Sequence, residues 1–520
     1  MKTDVTIDDI LAARERRAQR QQELAQRHSG ARHGCVLVSY TLNIAGPHKR
    51  CAEADRCFYE GSREIERVFV RGGFSVRACF PTDAATGLEC LWAIAPRTTD
   101  AMVPDATGAL RLKAALAALE ESHPLGRLFD IDVLSNDGGA PAKIPRSAVG
   151  LGERACLVCG AIGHGCARSR AHPLAEILDC TRRIIDGFFN KKDTAFIAAC
   201  AVRALLYELA AAPKPGLVDR RNNGAHTDMD FFTFVDSALC LSPYFSDMAA
   251  AGIANRGIPP GELLPLLRGR GVAAEEEMLA ATGGVNTHKG IIFSMGILCA
   301  ACGYLGLPAA EPEVAGDTVV EPGAVRDAPR SAAVGDAAVI GRLLDTAGEI
   351  AAPALASDLR SITPQNASTN GEKAFARHAA PGIRGEAAAG FPTVRNFGIP
   401  ALAAAITGGA SIGDAGVQAL LHMLAHTEDT NVIARAGIDA LHEIQRDVQV
   451  FLDTQPPIDA VLRYAAALDD DFIARNISPG GCADLLAVTY MLHFVSTVKG
   501  VNPPMADLLG SFGKAKTPCS

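Results

Sequence analysis

Two aspartates separated by a single residue, Asp130 and Asp132, sit in the segment HPLGRLFDIDVL at 123–134. In an extended chain alternate side chains share a face. Phe129, Ile131 and Val133 therefore turn one way and the two carboxylates the other, about 7 Å apart along the strand. Neighbouring carboxylates repel unless a cation lies between them, and an all-oxygen ligand set suits Mg²⁺. Such a pair can hold one or two metal ions against a triphosphate and stabilise charge during in-line attack at phosphorus. Arg127, just upstream, is placed to take up charge on departing pyrophosphate. The competing reading is a solvent-facing edge strand with two ordinary aspartates.

Cys156, Cys159, Cys166 and His172 follow at the spacing C-x2-C-x6-C-x5-H, with His164 nearby. Two thiolates at C-x2-C spacing can grip zinc from one tight turn, and a third cysteine and a histidine complete a tetrahedron. Buried inert thiols, or a basic substrate loop carrying Arg154, Arg168 and Arg170, account for the same segment without metal.

Further along, polar loops interrupt apolar text: PKPGLVD at 213–219, RRNNGAHTDMD at 220–230, TGGVNTHKG at 282–290, RGEA at 384–387, EDTN at 428–431 and RNISPGGCADLL at 475–486. Singly, each reads as a helix end or cap. Together they gather acids, amides, His and Lys at helix ends, where free N–H groups attract phosphate. Asn286, His288 and Lys289, ahead of an apolar helix, suit a triphosphate. Asp219, Asp228, Asp429 and Asp484 suit Mg²⁺.

The elements that must position these residues differ between the two parts of the chain. Val36, Val38, Tyr40, Leu42 and Ile44 alternate as a strand, GPHK at 46–49 ends it, and a charged helix is predicted over 52–71. Strands are expected at 74–80, 88–95 and 128–135, and another helix near 108–121. Strands interleaved with helices make residues 1–183 an α+β domain. From about Phe196 apolar residues recur at helical spacing, as in Leu441, Ile444, Val448 and Phe451, so 184–520 is expected to be all-α. Two low-complexity tracts interrupt it, 308–339, read as a mobile surface insertion, and 361–385. The join near 180–193 has no clear linker composition.

At 520 residues the chain is too long for one core. Its 21% charged and 48% hydrophobic residues describe a globular protein. Residues 1–183 carry a net charge of +3 and the remainder −11, giving the overall −8. No basic, aromatic-interleaved stretch points to nucleic acid. The longest apolar run, 291–307, is too short to cross a membrane and reads as a buried helix. The N-terminal stretch has acids and bases throughout and no apolar signal core. Fifteen scattered cysteines fit a reducing, cytoplasmic setting.

Three segments, VSYTLNIAGPHK at 38–49, HPLGRLFDIDVL, and RACLVC…CARSRAH at 154–172, resemble in order the CitX family of apo-citrate lyase phosphoribosyl-dephospho-CoA transferases. The resemblance implies a nucleotidyltransferase-like domain in which a serine of the citrate lyase acyl carrier (gamma) subunit attacks triphosphoribosyl-dephospho-CoA and pyrophosphate leaves. It puts Asp130, Asp132 and Arg127 in the reaction and Lys49 on phosphate. The polar loops of the second part resemble the CitG family of triphosphoribosyl-dephospho-CoA synthases, from PKPGLVD to RN-x-SPGG-x-ADLL. That likeness implies transfer of the triphosphoribosyl unit of ATP to the 2′-hydroxyl of 3′-dephospho-CoA, with adenine released and Mg²⁺ expected. One inverting displacement needs a base, Asp219 or Glu386, and an acid for adenine. It also implies Asp228, Asp429 and Asp484 as metal ligands. His226, Asn286, His288, Lys289, Arg384, Asn431 and Arg475 become substrate or phosphate contacts. Glu428 stands where many relatives have glycine.

The product of the second half would be the substrate of the first, which makes the fusion meaningful. Two other readings stand: the same chemistry serving malonate decarboxylase, and a non-catalytic zinc-binding adaptor.

Overall fold

The computed structural model describes residues 5–28, 35–96, 106–135, 140–307, 336–367 and 369–497. The described part of the predicted insertion begins only at residue 336, and 308–335 lie outside the described residues. The chain divides into two compact units, one ending at Phe189 and the other beginning at Asn190.

In the first unit the order is α1 (Ile7–His28), β1 (Val36–Leu42), α2 (Ala52–Arg71), β2 (Phe74–Ala84), β3 (Gly87–Pro96), α3 (Ala106–Ser122), β4 (Phe129–Ser135), β5 (Ala142–Lys143) and α4 (Gly163–Ser169). α5 (Leu174–Ala210) runs on across the division. The strands form one antiparallel sheet ordered β2-β3-β1-β4-β5. The period-two alternation decides what each face does. Val38, Tyr40, Trp92, Ile94, Phe129, Ile131 and Val133 turn onto Phe58, Ile65 and Phe69 of α2 and Leu112 and Leu116 of α3. On the reverse face, α1 lays Leu24 and Ala25 on Leu37, Leu91, Ala93 and Leu134 and leaves the other end of that face polar.

β4 has only a two-residue strand beyond it, so its outer edge needs other partners. Arg154 Nη1 donates to Phe129 O at 2.6 Å, Lys113 Nζ to Ile131 O at 3.1 Å, and Ile131 N–H donates to Glu120 at 3.1 Å. Ile144 N–H donates to Val133 O at 2.8 Å. Side chains thus stand in for a missing strand and fix the register of Asp130 and Asp132.

The second unit is helical throughout its described residues. Its helices are α6 (Phe231–Cys240), α7 (Ser242–Ala254), α8 (Leu263–Ala281), α9 (Lys289–Leu305), α10 (Ala337–Arg360), α11 (Asn370–His378) and α12 (Gly382–Ala388). They continue as α13 (Ile399–Thr407), α14 (Ile412–Leu424), α15 (Thr430–Ala436), α16 (Ile438–Asp453), α17 (Ile458–Ala474) and α18 (Gly480–Thr497). α9 and α18 are buried on nearly all sides, as their continuous apolar text requires. The tract 361–385 is less irregular than its composition suggests. Thr369 and Glu372 close a reciprocal capping box that starts α11, a signal hidden in the low-complexity text.

Candidate active sites in the two units

One cavity of about 980 Å³ in the helical unit collects nearly every polar loop singled out above. It is lined by His226, Asp228, Asn286, His288, Lys289, Arg384, Glu386, Asp429, Asn431 and Asp484. The first turns of α9 and α18 reach it through Lys289, Gly290, Gly480 and Gly481. Its size is at the upper end for small-molecule sites.

The loop at 213–226 is held by two acids, Asp219, which the sequence offers as a candidate base, and Asp469, which the sequence does not single out. Asp219 is buried, and its oxygens accept from the amides of Lys214 at 2.9 Å, Arg221 at 2.6 Å and Asn222 at 3.3 Å. Asp469 accepts from Gly216 N and Asn222 Nδ2, both at 2.9 Å. Asp219 is not among the cavity-lining residues. Gly216 has φ +67°, and a Cβ there would collide with Ile477 O. Gly224, at φ +56°, packs its own backbone against Gly216.

Asp429 does line the cavity, yet its carboxylate is also bound by three amides. Oδ1 accepts from Asn431 N at 2.9 Å and Val432 N at 3.2 Å, and Oδ2 from Cys482 N at 2.9 Å. One buried side chain therefore caps α15 and ties it to the first turn of α18. Burial raises its pKa against those amide contacts. Asp484 is raised well above the carboxylate range, by burial and then by Glu208 and Asp429. Its Oδ2 lies so close to Gly290 that a side chain there would collide with it.

Glu386 keeps more freedom. Its oxygens accept from Thr393 N at 3.1 Å and Thr393 Oγ1 at 2.6 Å, and burial, ahead of the nearby Glu428, raises its pKa. His288 is buried beside Ser237, with Nδ1 to Oγ 2.6 Å. Thr287 donates to the same Ser237 oxygen at 2.7 Å, so the serine proton is assigned to His288 Nδ1 and Nε2 carries the N–H. Burial, then Lys214, depresses the His288 pKa to about 3, which makes it a neutral donor. His226 Nε2 meets Ser478 Oγ at 2.8 Å, and burial and Arg435 lower its pKa.

Two of the four cations lining the cavity are engaged by carboxylates. Lys289 Nζ lies 2.8 Å from Glu275, and the fully buried Lys214 is paired with Glu208. Lys214 and Glu208 both line the cavity and were missed from sequence, although Lys214 stands inside PKPGLVD and Glu208 is a lone acid in apolar helical text. Arg475 is elsewhere, exposed and paired with Asp471 one helical turn away.

In the first unit, register places Glu89 and Asp130 opposite Thr41, and Asp132 opposite Ser39, all on the polar end of one sheet face. Thr41 Oγ1 lies 3.4 Å from Asp130 Oδ2, and Lys143 pairs with Asp132. Arg17 of α1 bonds Glu89 through Nε at 2.9 Å and through Nη2. A small cavity on this face is lined by Arg17, Arg20, Ser39, Thr82 and Glu89. Glu89 is the carboxylate that no spacing rule on β4 could find, because only strand pairing brings it there. Arg127 donates to Ala155 O, and Lys49 to Ile44 O.

Among the described residues, only Cys156, Cys159, Cys166 and His172, and separately Glu60, Glu64 and His123, group three or more metal-type ligand atoms within 4.8 Å. His164 is exposed and outside the first group. Asp228, Asp429 and Asp484 do not form a preassembled three-carboxylate cage. Mg²⁺ does not require one, since it commonly takes one or two carboxylates together with substrate phosphates.

Residues 5–188 match the profile of apo-citrate lyase phosphoribosyl-dephospho-CoA transferase (CitX), and residues 194–502 that of ATP:dephospho-CoA triphosphoribosyl transferase (CitG). The chain belongs to the fused CitX–CitG family. It is a bifunctional transferase, pairing the two activities that make and attach the citrate lyase prosthetic group. It is 32% identical to the protein CitXG of Leuconostoc mesenteroides subsp. cremoris, across 88% of this chain and 91% of that one. To the CitXG of Haemophilus influenzae it is 31% identical across 94% and 96%. A probable 2-(5''-triphosphoribosyl)-3'-dephosphocoenzyme-A synthase of Pectobacterium carotovorum subsp. carotovorum is 40% identical over 56% of this chain and 86% of its own. ATP and dephospho-CoA are the substrates that the CitG family implies. Among the described residues no helix is long and apolar enough to cross a membrane.

Proposed function

We propose that the cavity of the helical unit is where the triphosphoribosyl group leaves adenine and joins the 2′-hydroxyl of 3′-dephospho-CoA, with Glu386 as the base. The supporting observation is convergence: loops from 226 to 484 supply one cavity, although their residues are scattered over about half the chain. A carboxylate whose pKa is raised by burial is a better proton acceptor, and Glu386 retains a lone pair on each oxygen beyond its bonds to Thr393. His288 presents a neutral N–H donor. Asn286, Lys289, Arg384, Asn431 and the first turns of α9 and α18 receive the phosphates. Asp228 and Asp484 would hold a Mg²⁺ ion, which neutralises phosphate charge.

Asp130 and Asp132, with Glu89 beside them, form the metal-and-triphosphate face of a nucleotidyltransferase-like domain in residues 1–183. There the serine oxygen of the citrate lyase acyl carrier subunit forms a bond to the α-phosphorus, and the bond to pyrophosphate breaks. Residues 184–520 carry the synthase. The setting is cytoplasmic.

The test mixes pure protein with ATP, Mg²⁺, dephospho-CoA and apo-carrier, and follows adenine, pyrophosphate and carrier mass. Glu386→Gln should stop adenine release yet still modify the carrier when given prepared triphosphoribosyl-dephospho-CoA. Asp130→Asn with Asp132→Asn should do the reverse. Loss of both activities in either folded variant would sink the division of labour.

A further inference from the structure

The cysteine segment of the first unit is built as a metal knuckle. The ligand atoms of Cys156, Cys159, Cys166 and His172 all lie within 4.8 Å of one another, and Cys159 Sγ to Cys166 Sγ is 3.5 Å. Bonds of about 2.3 Å at the tetrahedral angle give ligand separations of about 3.8 Å. The amides of Val158 and Cys159 face Cys156 Sγ, and that of Ala161 faces Cys159 Sγ. Amides turned onto sulfur stabilise thiolate rather than thiol. Gly160 takes φ +75° to close the turn, and its N–H donates to Cys156 O at 3.2 Å. His172 Nδ1 lies 3.4 Å from Glu176, while Nε2, shut off from solvent, has no nitrogen or oxygen partner and stands beside Cys159. A carboxylate orienting one imidazole nitrogen so that the other meets a metal is a recurrent arrangement.

We propose that Cys156, Cys159, Cys166 and His172 bind one structural zinc ion that clips the 154–172 segment to the outer edge of β4. Four protein ligands leave no open position, so the ion is structural rather than catalytic. On binding, three thiols release three protons to solvent, and Zn²⁺ with three thiolates and a neutral imidazole carries one net negative charge. The clip lies next to the contacts that matter. Arg154 donates to Phe129 O at 2.6 Å and Gly126 O at 2.8 Å, and Arg127 donates to Ala155 O. Residues 155 and 162 are bridged, which closes the knuckle's base. Zinc thus holds the segment that completes the aspartate strand.

The experiment is metal analysis of the full chain purified under reducing conditions without chelator. One equivalent of zinc is expected, released by a thiol-specific mercurial. Cys159→Ser with Cys166→Ser should reduce zinc below about 0.1 equivalent while adenine release, carried by the other unit, is retained. Glu176→Gln should weaken zinc affinity about tenfold to a hundredfold. His172→Cys should keep the metal, and Co²⁺ replacement should give a stronger thiolate charge-transfer band than in the wild type. Less than about 0.1 equivalent in wild-type protein that also gives no thiolate–cobalt band overturns the proposal. So does zinc retained in the double variant, or a Cys159–Cys166 disulfide found in the metal-free, active protein.

Discussion

Asp429 separates two accounts of the helical unit. As a metal ligand it would matter to Mg²⁺ dependence. As a double cap it should matter to folding. Its Oδ1 takes two amides at the start of α15, and its Oδ2 takes the Cys482 amide in α18. Asp429→Ala removes an N-cap, worth about 1 kcal/mol. It also strands a buried N–H on α18, at about 1–3 kcal/mol. The sum is roughly 2–4 kcal/mol, which for a unit of this size lowers Tm by roughly 5–10 °C. Asp429→Asn keeps Oδ1 for α15 but turns an NH2 donor onto the Cys482 N–H, so it should cost only the second part. It also removes a charge that burial penalises, which places it near 1 kcal/mol. Far-UV circular dichroism on heating, with adenine release measured across a Mg²⁺ series, reads both accounts at once. If Asp429 acts as a cap, the Ala variant is less stable than the Asn variant and the Mg²⁺ midpoint is unmoved in both. An Asn variant of wild-type stability whose Mg²⁺ midpoint rises would refute it and restore Asp429 as a ligand.

Glu66 is buried under the sheet with only Trp92 Nε1 at 3.3 Å, and burial lifts its pKa to about 7. A raised carboxyl pKa gives stability present below its unfolded value and lost as pH rises through 7. Glu66→Gln should therefore stabilise the first unit at pH 8 by about 3 kcal/mol and flatten its denaturation midpoint over that window. For His288 the sign reverses. Its depressed pKa means stability present above about 6.5 and lost as pH falls toward 3, so His288→Gln should flatten the acid side of the stability profile of the helical unit. Gly216→Ala should cost roughly 2–5 kcal/mol, from the positive φ and the collision with Ile477 O, seen as a lower urea midpoint and reduced adenine release.

The sheet unit was the easier half to read. Alternation in 36–42 and 129–135 names both faces, because a strand's pattern has only two outcomes and burial decides between them. Helical packing in the second unit also follows from periodicity. The site was legible only as a set of motifs. Whether a motif carboxylate meets substrate or backbone is a tertiary matter. Asp219 and Asp228 stand nine residues apart in one polar loop, yet one is wrapped in amides and the other lies exposed in the cavity. Nothing in the local text distinguishes them. Arg475, beside a glycine-rich turn, reads as a phosphate contact until its i,i+4 partner Asp471 is seen. The pairing of Lys214 with Glu208 is similarly invisible, since a proline turn brings them together. The cysteine segment is the opposite case. Its spacing left three readings open, and the inward-facing amides favour one of them.

The balance of charge in the helical cavity constrains how ATP enters. Glu208, Asp228, Glu275, Glu386, Glu428 and Asp429 line it against Lys214, Lys289, Arg384 and Arg435, while burial holds Asp484 toward its neutral form. Lys214 and Lys289 are matched by Glu208 and Glu275, which leaves an acidic excess facing a polyanion. Like charges in a partly desolvated cavity repel more strongly than in water. Free ATP should therefore bind poorly, and ATP that already carries its cation should bind well. No group of three carboxylates among the described residues is gathered closely enough to hold the ion beforehand. The order that follows is nucleotide and cation together. Calorimetry on the Asp130→Asn, Asp132→Asn variant, which lacks the metal face proposed for the sheet unit, should show negligible Mg²⁺ binding without nucleotide, and its adenine release should track the concentration of the Mg²⁺–ATP complex rather than of free Mg²⁺. Tight Mg²⁺ binding without nucleotide would mean that the acids form their own cage, and the repulsion argument would fail.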